Sequence, residues 1–128
     1  MRIRKPIERW FKVPGDDDNA EIKIRKLTPG ELFAIYDATF EQVITYDTDG
    51  MPEMKQVSNK DADRKLTATK AVVDWKNMFD EDGSLMVCNP ANIEKAVDGI
   101  QGFFAFVRKC MTTLDNDLEK EKKAQEKN

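Results

Sequence analysis

The run Ile93, Val97, Ile100, Phe104, Val107, Met111, Leu114, Leu118 advances in steps of four and three without interruption, a heptad seam about seven turns long. Asn89-Pro90 ahead of it offers a cap and a first-position proline. Ala96, Phe103 and Cys110 widen one flank of the seam, and Phe106 lies further round on the same side. The resulting apolar arc spans about half the circumference, wider than the roughly 100° stripe of an ordinary surface helix. One side must therefore serve a core, and the Phe103–Phe106 flank is free to serve something else. Gly99 and Gly102 interrupt the seam, each costing about 1 kcal/mol relative to alanine within a helix. They mark either a break between two shorter helices or a place where a neighbour's backbone comes close.

The preceding chain reads as strands and short helices. Residues 9–13 and 20–27 form a hairpin around the acidic turn cluster Pro14 to Asn19, the second run alternating charged and apolar residues at period two. Thr28-Pro29-Gly30-Glu31 has the elements of a capping box and opens a helix over 29–39. Residues 39–46, the turn Asp47-Thr48-Asp49-Gly50 and residues 51–57 read as a second hairpin, with Pro52 confined to an edge or to the turn. Ser58 or Asn59 caps a further helix. Its pattern turns ragged between Thr67 and Trp75, so the helix is half buried or its last part is extended. After Leu118 the charged segment 119–128 has no apolar face and is expected to fray or be disordered. The expected fold is α+β: a mainly helical single domain over residues 1–118, with one or two small antiparallel hairpins and a long C-terminal helix. A basic arm, residues 1–8, precedes its first strand.

Composition narrows the function. The chain has 128 residues, enough for one modest core, and no histidine, which removes imidazole bases, Ser-His and Cys-His nucleophile pairs and histidine metal ligands. Its two cysteines, Cys88 and Cys110, lack the CxxC spacing of a zinc site and read as buried free thiols. The acidic runs Asp16–Asp18 and Asp80–Asp82 lack calcium-loop spacing and read as solvated turns. No glycine-rich phosphate loop is present. No catalytic, cofactor-binding or metal residues are assigned, and the chain is expected not to be an enzyme. Charge is segregated: residues 1–13 carry five cations against one anion, residues 14–63 five against twelve, and the remainder balances. Arg2, Arg4, Lys5, Arg9 and Lys12, with Trp10 and Phe11 interleaved, have chemistry suited to nucleic acid, but the acidic body would repel phosphate. Neither a membrane span nor an export signal is evident, and a cytoplasmic protein whose work is contact is expected.

Two stretches resemble a known family. Ala20 to Glu31 is similar to the strand and capped helix that open tail assembly chaperones of tailed bacteriophages. Asp74 to Ser84, followed by Asn89-Pro90-Ala91-Asn92-Ile93, resembles that family's tryptophan, acidic turn and glycine segment leading into its C-terminal helix. The likeness covers roughly residues 20–110. It implies a non-enzymatic phage or prophage protein of the host cytoplasm that coats the tape-measure protein until tail-tube subunits replace it, and that is absent from the finished virion. It also implies that a longer product made by ribosomal frameshifting could diverge near the C-terminal tail. The alternatives are a structural virion component, such as a tail-completion or connector protein, and a small protein-binding adaptor. Expected partners are the tape-measure protein and the tail-tube protein, with self-association open. Phe103 and Phe106, with Trp75 and Phe79 behind them, are the candidate contact residues. Ordinary core packing is the competing reading for each, and for Trp75 and Phe79 the favoured one.

Overall fold

A computed structural model describes residues 1–3 and 5–126. The expectations that involve Arg4, Lys127 and Asn128 fall outside the described residues. The first hairpin forms where the alternation places it: β1 (Glu8–Lys12) pairs antiparallel with β2 (Glu21–Arg25), Phe11 opposite Ile22 and Trp10 opposite Lys23. Ile22 and Ile24 point inward and are fully buried, while the alternating charged residues Glu21, Lys23 and Arg25 stay half exposed. Asp16 fixes the connecting loop by accepting a hydrogen bond from the Ala20 amide at 2.9 Å.

α1 (Pro29–Thr39) begins at a complete capping box. The Thr28 hydroxyl accepts from the Glu31 amide at 3.2 Å, and the Glu31 carboxylate accepts from the Thr28 amide at 3.0 Å. The same carboxylate holds Arg25 at the end of β2, which lowers the Glu31 pKa to about 2 and raises that of Arg25. α1 leads directly into β3 (Phe40–Tyr46), paired antiparallel with β4 (Pro52–Ser58). Asp47 closes their turn by accepting from the amides of Asp49 and Met51. Pro52 takes the first position of β4, where its missing amide costs least.

Asn59 caps α2 (Lys60–Ala71), its side chain accepting from the Ala62 amide at 3.1 Å. The ragged stretch resolves as helix followed by strand. From Val72 the chain is extended as β5 (Val72–Lys76), which joins the open side of β2 to give a three-stranded antiparallel sheet in the order β1-β2-β5. Two adjacent β-branched valines end the helix and favour the strand. The sequence suggests a local extension; it does not reveal the long-range pairing.

The C-terminal seam spans two helices, α3 (Pro90–Gly99) and α4 (Phe103–Glu126). Between them Gly102 adopts φ +80°, a conformation costly for a residue with a Cβ. Of the two readings of these glycines, the break is the one present. A Cβ built on Gly99 would meet nothing within 4 Å, so no neighbouring backbone approaches it closely. The break also overturns the assignment of faces. Phe103, Val107, Cys110 and Leu114 form the buried face of α4, whereas the seam residues Phe104, Met111 and Leu118 are only half buried. Restarting the helix at Phe103 re-phases it, so Phe103 and Cys110 of the flank expected to be spare are buried, while Phe106 stays half buried. α4 continues through Glu126, into the charged segment expected to fray or be disordered. Its Glu, Lys, Ala and Gln residues are good helix formers, and extending an existing helix avoids the nucleation cost.

Thus four helices and five strands in two antiparallel sheets make a mixed α+β fold among the described residues. Its core lies between the three-stranded sheet and α2, α3 and α4, centred on Ile22, Ile24, Val107 and Leu114. No described helix is long and apolar enough to cross a membrane.

Candidate functional site

The segment after β5 is shaped by hydrogen bonds that separate inward from outward side chains. Trp75 is buried, and its indole Nε1 donates to the Met86 carbonyl at 2.8 Å, tying the returning chain to β5. Asn77, at φ 60°, reverses the backbone and donates from Nδ2 to the Asn19 carbonyl at 3.0 Å. Met78 therefore turns into the core and Phe79 turns out, 39% exposed. The acidic turn that follows is held by its own contacts. Lys95 Nζ donates to both oxygens of Asp80, at 2.9 and 2.8 Å, and Asp82 accepts from the amide and hydroxyl of Ser84. These bonds hold both carboxyls below the usual range. Among the described residues no group of three or more acids and cysteines is arranged to hold a metal.

The four candidate contact residues divide into two pairs. Phe103 and Trp75 belong to the core, 4% and 6% exposed, with their rings edge to face at 6.3 Å between centroids. That packing corrects the assignment of Phe103 as a contact residue and gives Trp75 the core role favoured for it. Phe106 is half buried and, with Phe79 and Ile100, lines a shallow groove of about 270 Å³ at the α3–α4 break. Phe103 and Met78 of the core and Val13, Asp16 and Asp18 of the β1–β2 loop also line it. The groove is thus apolar at the break and acidic at the loop. Gly102 shapes it, because the turn at that residue sets Ile100 beside Phe106 rather than continuing the helix past it.

A second concavity, about 750 Å³, lies between α1, α2 and α4. Leu32, Tyr36, Phe104 and Met111 give it apolar walls, and Lys60, Arg64 and Arg108 give it a largely cationic rim that also includes Asp63. Sequence reasoning missed this site. The signal was the seam itself, whose Phe104 and Met111 were assigned to the core. The exposure of Leu32, Phe33 and Tyr36 on α1 was missed likewise, because an apolar helical face reads the same whether covered or bare.

The remaining reactive groups are quiet. Burial pushes the thiols of Cys88 and Cys110 up to about 11, with the Asp74 charge adding to the effect at Cys88. Neither is a thiolate near neutral pH. In β1 the aromatic rings meet the chain's own cations: Lys76 lies 4.4 Å and Lys23 6.0 Å from the Trp10 ring centroid, and Arg9 lies 5.2 Å from that of Phe11. No family model matches this chain, and neither a curated protein nor a solved structure is found to be similar to it.

Proposed function

We propose that the protein is a non-enzymatic holder of an apolar segment of a partner chain, acting as a tail assembly chaperone does on the tape-measure protein in the cytoplasm of an infected cell. The carrying observation is the groove at the α3–α4 break. It is built from Phe79, Phe106 and Ile100, side chains that the core leaves partly exposed. A contact through such partly covered side chains suits reversible custody. At roughly 25 cal/mol per Å² of apolar surface, finishing the burial of two such aromatics contributes only a few kcal/mol, little enough for a later subunit to displace. The acidic end of the groove, Asp16 and Asp18, favours an apolar partner segment that also carries a cation.

One observation favours a second reading, a structural part that stays in its assembly. The exposed apolar residues of α1 and of the β3–β4 hairpin are more extensive than the groove requires. Mass spectrometry of purified particles separates the two readings, with a chaperone missing and a structural part present. Co-expression with a long, coiled-coil-rich protein encoded beside it should give a complex that purified tail-tube protein displaces. Failure of any such protein to co-purify would count against the proposal.

A further inference from the structure

The β3–β4 hairpin projects from the fold with little support. It makes its extensive contacts within itself and not with another element. An isolated two-stranded hairpin is marginal in water. Its register places Ile44 opposite Met54 and Tyr46 opposite Pro52 on one face. Ile44, Tyr46 and Met54 are 61%, 71% and 65% exposed. The same tip, residues 44–54, carries Asp47, Asp49 and Glu53 and no cation. The chain therefore presents a convex, apolar and acidic knob.

The concavity between α1, α2 and α4 has the opposite character: hollow, apolar inside, with the three cations Lys60, Arg64 and Arg108 against the one acid Asp63 at its rim. Phe40 and Ser58, the base of the hairpin, form part of its wall. The tip stands six residues beyond that base, about 20 Å along a strand, so a straight hairpin cannot fold back into its own hollow. The complementary knob must come from another molecule, and every copy of this chain carries one.

We propose that the hairpin tip of one copy seats in the α1–α2–α4 hollow of a second copy, its apolar face covered by Tyr36, Phe104 and Met111 and the acids of its turn, Asp47 and Asp49, paired with the cationic rim. The contact is heterologous. Each copy keeps a free knob at one end and a free hollow at the other, so association continues beyond a dimer unless the geometry closes a ring. This interface uses none of Phe79, Ile100 and Phe106, so it stands or falls separately from the partner groove.

Sedimentation velocity and light scattering of the full chain test it through two surface variants. Ile44→Asn/Met54→Asn spoils the knob and Arg64→Glu/Arg108→Glu spoils the hollow, with circular dichroism to confirm that each still folds. The wild type should grow with concentration past a dimer, and growth should weaken with salt as opposed charges are screened. Each variant alone should remain monomeric, while an equimolar mixture should form a capped heterodimer and nothing larger. The charge-only knob variant Asp49→Lys/Glu53→Lys, which keeps the apolar face, should associate at least about tenfold more weakly than the wild type, and serves should the asparagine variant unfold. A wild type that stays monomeric at sub-millimolar concentration, a single variant that still associates as the wild type does, or a mixture that stays monomeric would each overturn the proposal.

Discussion

Substituting the two seam glycines by alanine should change stability in opposite directions. At Gly102 the backbone sits at φ +80°, and an added Cβ meets no atom within 4 Å. The penalty there is conformational rather than steric: roughly 1–2 kcal/mol for a left-handed alanine, reduced slightly by the lower entropy of the unfolded variant. Gly102→Ala should therefore cost about 1 kcal/mol. Gly99 closes α3 without a left-handed φ and also faces open space. Gly99→Ala removes glycine's helix penalty and should stabilise by about 0.5–1 kcal/mol. In a chain of this length the two variants should melt on opposite sides of the wild type, each displaced by about 2–4 °C. Urea titrations followed by far-ultraviolet circular dichroism should give shifted midpoints with equal slopes, which marks a change in stability without a change of fold. Were Gly102→Ala as stable as the wild type or more so, the seam would run through as one continuous helix, and the groove beside Phe106 would not exist as described.

Other outcomes follow from the same packing. Phe103→Ala, at a site 4% exposed, should destabilise by about 3–5 kcal/mol in chemical denaturation, whereas Phe79→Ala should cost less than about 1.5 kcal/mol. Glu31→Gln removes the partner of Arg25, and the sign of its pH dependence is fixed by a carboxyl held at about 2 against an unfolded value near 4.5. The ion pair's contribution is fully present above 4.5 and is lost as pH falls toward 2. The wild type should therefore exceed the variant by about 1–2 kcal/mol near neutrality, after allowance for solvent screening, and converge on it in acid melts. Cys88 and Cys110, raised to about 11, should react slowly with a disulfide reagent at neutral pH in the folded protein and rapidly in denaturant.

Local features were the legible ones. Thr28 to Glu31 announces a capping box, the alternation around Ile22 and Ile24 announces a strand, and Asp47 to Gly50 announces a turn. Each signal is complete within a few residues, and each element stands where its residues place it. What the chain did not disclose depends on partners distant in sequence. β5 is a strand because the open side of β2 accepts it. The heptad seam could not say which of its sides would be buried, because the break at Gly102 decides that by re-phasing α4. Hence Phe103, apolar and well placed for contact, became core, and Phe104 and Met111, apolar and well placed for core, came to line a hollow. Hydrophobic pattern identifies which faces need covering; only the tertiary fold tells which are left bare.

The proposed function requires Phe106 to serve a partner more than it serves the core. Phe106→Asp measures both at once, by the thermal midpoint of the purified variant and by its recovery in complex with a co-expressed tape-measure protein. Phe106→Asp should give a folded protein, with its melting point lowered by only a few degrees, that no longer co-purifies with the partner. A variant that unfolds would return Phe106 to the core, and a folded variant that binds as the wild type does would place the contact elsewhere.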